Sequence, residues 1–136
     1  MSTRKTNEKF LERFIGLETT CAKKFDVLTA GVTEYISRLN SAKAANGRDE
    51  TLRQLNKYRS LRNRMVHEPG ALKSMAEINK TDLKWLKKFE KRVRRNKDPL
   101  SRFYKKQKTS KGWKIFLAIF IVLLIATVAV LLYLLL

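Results

Sequence analysis

Three side chains within Leu61–Glu68 have the types and spacing for proton and phosphate chemistry: Arg62, Asn63 and His67, the last being the only histidine of the chain. An imidazole can give or take a proton near neutral pH. A guanidinium is permanently charged and can grip a phosphate through two parallel hydrogen bonds. Asn63 precedes His67 by one helical turn and shares its side of a helix. Arg62 lies about 140° further round. One helix therefore does not aim Arg62 and His67 at a single phosphate unless its last turn unwinds, which Pro69 encourages. Alternatively, a second copy of the chain supplies the facing half. The non-catalytic reading of the same residues is a surface histidine at a helix C-terminus and an arginine paired with Glu34, Glu50 or Glu68.

The elements that must position these residues all read as helices. Apolar residues run Phe10, Phe14, Leu17, Cys21, Phe25, Leu28, Val32, Tyr35/Ile36 and Leu39, in steps of three and four. Thr6 or Asn7 is the expected cap, and a break is expected between Thr19 and Gly31, a glycine that weakens the pattern. Gly47 reads as a C-terminal stop. Asp49 or Thr51 starts the next helix, with Leu52, Leu55, Tyr58, Leu61 and Met65 as its buried stripe. It ends at Glu68, before Pro69. Residues 69–80 connect, anchored by Met75 and Ile78. Thr81 then caps a helix carrying Leu83, Leu86, Phe89 and Val93, with Trp85 to one side and Asp98-Pro99 closing it. No strand alternation and no internal repeat is visible.

Charge and hydropathy set the location. The 136 residues carry a formal charge of +18. Fourteen Lys/Arg between Lys84 and Lys114 face only Glu90 and Asp98, so most of the excess is concentrated there. Such a patch attracts anionic lipid or nucleic-acid phosphate. Ile115–Leu136 follows without a charge, and as a helix its 22 residues extend about 33 Å, matching a hydrocarbon core. The expected division is a helical domain over 1–100, a basic juxtamembrane connector over 101–114 and a membrane tail anchor over 115–136. Lys105, Lys106, Lys108 and Lys111 are the expected contacts to phosphate or anionic lipid, and Trp113 and Lys114 the expected membrane-interface residues. All the flanking positive charge precedes the span, which places the domain in the cytoplasm and the protein at the cell membrane as a single-pass species. The opening residues Met1–Lys5 do not read as a secretory signal, so none is expected. Cys21, the lone cysteine, reads as a small core residue; there is no disulfide framework and no zinc spacing. No Ser/His/Asp set or glycine-rich phosphate loop competes with the Arg62–His67 stretch.

Arg62, Asn63 and His67, spaced as arginine, polar residue, three residues, histidine, resemble the motif of HEPN domains. The resemblance covers about residues 5–100. It implies an all-α antiparallel helical bundle, a homodimer with the motif at the dimer cleft, and metal-independent endoribonuclease activity of a toxin or phage-defence type, with no cofactor. By that resemblance Arg62 stabilises a phosphorane, His67 serves as acid, base or phosphate contact, and Asn63 orients them. The 2′-hydroxyl is then the nucleophile, which restricts the substrate to RNA and leaves a cyclic phosphate. An antitoxin or defence partner is also implied. Some HEPN toxins carry a tyrosine two residues after the histidine; here Glu68 and Pro69 follow, so control by modification of that tyrosine is not expected. The stretches Gly31–Ile36, Asp82–Leu86 and Asp98–Leu100 also look like a family of small uncharacterised bacterial proteins, which implies a shared fold.

Two other functions suit the same composition. One is a non-catalytic tail-anchored module that binds RNA, anionic lipid or a protein partner through its basic face. The other is membrane disruption by the span itself, against which stands the span's lack of the polar face a pore-lining helix needs.

Overall fold

Apolar residues spaced three and four apart become the buried stripes of helices. The computed structural model describes residues 2–135, with the side chains at 109–111 and 134 outside that description. Among the described residues there are six α-helices: α1 (Thr3–Phe25), α2 (Gly31–Ser41), α3 (Arg48–His67), α4 (Ala71–Ser74), α5 (Lys80–Arg94) and α6 (Pro99–Leu135). The chain forms two compact units, the first ending at Phe103 and the second beginning at Tyr104.

Burial follows the stripes. Phe10, Phe14, Leu17 and Cys21 of α1, Val32, Tyr35, Ile36 and Leu39 of α2, and Leu52, Leu55, Tyr58, Leu61 and Met65 of α3 are buried, as are Leu86, Phe89 and Val93 of α5. A run of ring contacts joins four helices: Phe10 to Tyr58 at 5.8 Å, Tyr58 to Trp85 at 5.3 Å, Trp85 stacked on Phe89 at 4.7 Å, and Phe89 edge-on to Tyr35 at 5.4 Å. Met75 and Ile78 anchor the connection between α3 and α5, which also folds a short turn of helix, α4. Leu28 departs from the expected stripe. It is fully exposed, because the break between the first two helices falls at residues 26–30 and takes Leu28 out of helical register.

Three expected boundary residues do other work. Asn7 does not cap α1. It lies fully buried inside the helix, and its amide donates to the carbonyls of Leu72 (3.0 Å) and Met75 (2.8 Å), supplying partners that the chain around α4 lacks. Gly47 does not stop a helix; it starts α3 from a left-handed φ of 73°, which glycine adopts without steric cost. Thr81 is replaced as cap by Asn79, whose side chain accepts from the Thr81 and Asp82 N–H groups while Asp82 accepts from the Asn79 N–H, a reciprocal capping box.

The helices are not a strictly antiparallel bundle. α1 and α5 run in the same direction: Lys9 and Arg13 neighbour Lys80 and Lys84, Thr20 reaches Glu90, and Lys24 reaches Asn96. The Asn7 hydrogen bonds hold the chain after α3 beside the start of α1, from where α5 begins.

The residues read as a connector are helical, and α6 carries on through them. Its first turn belongs to the first unit. Leu100 is fully buried, Phe103 packs on the core, and the buried Asp98 accepts from the Ser101 N–H at 3.1 Å, the Ser101 hydroxyl at 2.6 Å and the Tyr35 hydroxyl at 2.8 Å. In the second unit every described side chain from Gly112 to Leu135 is exposed. Thr127, the one hydroxyl of the run besides Tyr133, donates back to the Leu124 carbonyl at 2.8 Å, so its polarity is met within the helix.

Candidate functional site

α3 remains helical through His67, with Glu68 as its C-terminal cap at a β-region φ and ψ. The last turn therefore does not unwind, and Arg62 and His67 keep the divergence of about 140° that a regular helix imposes. Arg62 is half-buried. With Asn63 and Arg59 it borders a cleft of about 220 Å³ whose other walls are Phe14 and Glu18 of α1 and Ala30 and Thr33 at the entrance to α2. The Arg62 guanidinium donates to the Asn63 side-chain oxygen at 3.1 Å. His67 does not line this cleft; it is exposed and has no hydrogen bond or ion pair among the described residues. One copy thus brings Arg62 and Asn63 together and leaves His67 on a different side of the same helix end.

Local physics explains the cleft. Ala30 starts α2 from a left-handed φ of 57° and has no polar side chain for the exposed N–H groups. The Glu18 carboxylate, reaching from α1, accepts from the Val32 N–H at 3.3 Å instead. An acid at a helix N-terminus is favoured by the backbone dipoles. The two arginines of α3 face this region from the other wall. Nothing in the sequence marks Glu18, and the one signal for Arg59 is that it stands one turn before Asn63. The three acids that the sequence offers as possible partners of Arg62 are each engaged by another arginine. Glu34 accepts from Arg38, Glu50 from Arg53, and Glu68 lies 3.5 Å from Arg64, which also binds Glu77 at 2.7 Å.

Cys21 is fully buried in the core, and burial pushes its thiol up to about 12, which leaves it protonated and unreactive at neutral pH. Among the described residues no three His, Cys, Asp or Glu side chains come close enough to hold a metal ion. Of the basic residues before the span, Lys105, Lys106 and Lys108 are exposed on α6, and Lys111 lies outside the described residues as regards its side chain. Trp113 is exposed with its ring centroid 6.3 Å from that of Phe116, and Lys114 is exposed beside it.

The fold and the site together define a class: an all-α domain followed by one helix long and apolar enough to cross a membrane. The chain belongs to DUF6548, a family of unknown function, whose match spans residues 8–115 and so takes in the helical domain and the basic segment. No curated protein and no solved structure matches it.

Proposed function

We propose that this protein is a membrane-tethered, HEPN-like endoribonuclease that cuts RNA without a metal ion, with its domain facing the cytoplasm and a toxin or defence role. The observation that carries the reading is the end of α3. It presents His67 exposed and unpartnered, one turn beyond an Arg62–Asn63 pair held together at the rim of a cleft. In the proposed reaction a ribose 2′-hydroxyl loses its proton to a base and attacks the adjacent phosphorus. The 5′-oxygen of the next nucleotide leaves with a proton, and a cyclic phosphate remains. His67 supplies the proton transfer, and Arg62, oriented by Asn63, neutralises the phosphorane. Because Arg62 and His67 diverge within one copy, the site is assembled between two copies, His67 of one facing Arg62 of the other.

The test is cleavage of total cellular RNA in EDTA by the full chain in lipid nanodiscs, beside His67→Ala and Arg62→Ala. Loss of about 100-fold or more in rate is expected for each. Thermal stability should stay within about 0.5 kcal/mol for His67→Ala, an exposed residue without partners. Undiminished cutting by His67→Ala, or none by the wild type, would defeat the reading.

A second reading is favoured by the exposed lysines of α6: a non-catalytic tail-anchored module that binds RNA, anionic lipid or a protein partner. It expects both α3 substitutions to be silent. Neutralising Lys105, Lys106, Lys108 and Lys111 should then remove binding together with its salt dependence.

A further inference from the structure

α5 carries Lys80, Lys84, Lys87, Lys91 and Arg94 at alternating steps of four and three, a stripe that runs straight along one side of the helix. Beside it, α1 carries Lys9, Arg13 and Lys23 at positions of the same periodicity, with Gly16 and Thr20 between them. Because the two helices run in the same direction, the stripes flank one seam. At one end Lys9, Arg13, Lys80, Lys84 and Lys87 line a groove of about 280 Å³ whose one apolar wall is Leu83. At the other end Lys23, Lys24 and Arg94, with Thr19, Thr20 and Asn96, line a second groove of about 470 Å³. Glu90 is the acid between them, accepting from the Thr20 hydroxyl at 3.4 Å opposite Gly16.

Of these cations only Lys24 is engaged, by Asn96, Asp98 and Ser101. The eight of the two stripes make no ion pair or side-chain hydrogen bond among the described residues. Elsewhere on the same domain arginines are paired with Glu8, Glu34, Glu50 and Glu77, and other cations such as Arg59 and Arg62 also lack an ion pair, but the seam is where cations without one line two grooves in a row.

We propose that the α1/α5 seam is a binding track for the backbone of single-stranded RNA. The α5 stripe extends about 21 Å with a cation every 5 Å or so, which matches an extended chain of phosphates better than a single compact anion. A bilayer would instead favour a face with apolar anchors, and the large exposed apolar residues of the domain, Ile15, Leu28 and Val66, do not line either groove. The inference takes only its choice of RNA over other single strands from the proposed function and needs no cleavage.

The test uses the full chain carrying His67→Ala, in nanodiscs of zwitterionic lipid, and a labelled single-stranded RNA of 20 nucleotides. A groove triple, Arg13→Gln/Lys84→Gln/Lys87→Gln, is compared with Lys105→Gln/Lys106→Gln/Lys108→Gln, which removes the same charge outside the seam. All five lysines are exposed and Arg13 is half-buried, so circular dichroism should show each triple folded. The groove triple is expected to bind about tenfold or more weakly, with a salt slope less steep by about 2, from ~0.7 per phosphate contact. The control triple should lose less than threefold. Equal losses for the two triples would overturn the proposal, because binding would then follow net charge and not the seam. Absence of RNA binding by the His67→Ala chain would overturn it too, as would a groove triple that loses only its binding to phosphatidylserine vesicles. Cleavage by the His67-containing protein is scored separately: a track that binds RNA in a chain that never cuts leaves this inference standing and the nuclease reading refuted.

Discussion

Gly31 shows how one missing side chain sets the packing beside the candidate site. A Cβ at this position would lie 2.3 Å from the Ala22 nitrogen, 2.4 Å from the Glu18 carbonyl oxygen and 2.8 Å from the Ala22 Cα. All three are backbone atoms of α1 and cannot swing aside. The approach lets the start of α2 reach the Glu18 carboxylate, and the same carboxylate walls the Arg62 cleft. Gly31→Ala should therefore destabilise the domain by ~2–3 kcal/mol, as overpacking does, although alanine is the better helix former. Urea denaturation of the full chain in nanodiscs checks it; a variant as stable as wild type would show that α1 and α2 are not so closely apposed. Read as sequence, Gly31 is merely a weak point in an apolar pattern. Periodicity reports which side of a helix is buried and contains nothing about how near a neighbouring backbone comes.

At the scale of elements the same divide recurs. The stripes of α1, α2, α3 and α5 were legible because burial selects apolar residues at every third or fourth position. The break before Gly31 and the end of α3 before Pro69 were legible because each has a local cause. Features settled by partners distant in sequence are not legible in this way. Asn7 looks like a cap, yet its amide closes a gap 65 and 68 residues away. Arg62, Asn63 and His67 were placed at a helix end from sequence, but the cleft that receives Arg62 is built by α1 and α2, and nothing in the local spacing gives it. Asp98 is another such case: it reads as a helix terminator, whereas it is a buried knot joining α1, α2 and α6 through Lys24, Tyr35 and Ser101. Burial works to raise its carboxyl, but hydrogen bonds from Ser101 and Tyr35 and the charge of Lys24 outweigh this and hold it below the ordinary carboxylate value. Asp82 is held low in the same way, with Asn79, Lys57 and Tyr58 opposing its burial. A group lowered on folding contributes stability in full above its unfolded value, about 4, and loses that contribution as pH falls through the folded value. Stability should accordingly be flat from pH 7 to about 5 and decline below about 4. Asp98→Asn should lower stability at pH 7 by ~3 kcal/mol or more, because Lys24 keeps its charge without a counter-ion, and should shrink the acid-dependent part. Denaturation midpoints at pH 7, 4 and 3 for both chains test this, and parallel pH curves for the two would count against Asp98 as a source of it.

For the whole molecule the decisive quantity is the length of α6 against the thickness of a bilayer. Its 37 residues make a helix of about 55 Å, while a hydrocarbon core takes about 30 Å. The uncharged part after Lys114 is long enough for the core; were it to span a bilayer, the turns bearing Lys105, Lys106 and Lys108 would fall in the headgroup region or in water. Positive charge there opposes translocation and attracts anionic lipid. The first compact unit, by contrast, ends at Phe103 and holds the core together with the Asp98 knot. These facts separate anchoring from folding, and they do so at a boundary slightly beyond the one at residue 100 that the sequence suggested. Ser101 and Phe103 must be kept, since one bonds Asp98 and the other covers the core. A chain ending at Lys108 should leave the membrane fraction and appear in the supernatant with a cooperative thermal transition, whereas the full chain should resist alkaline carbonate extraction. A chain ending at Asp98 should lose several kcal/mol of stability, because it forfeits the Ser101 hydrogen bonds and the buried Leu100. Extraction of the full chain by carbonate would make α6 something other than a span. A Lys108-terminated chain that fails to fold would mean that the domain draws its stability from the helix beyond Phe103.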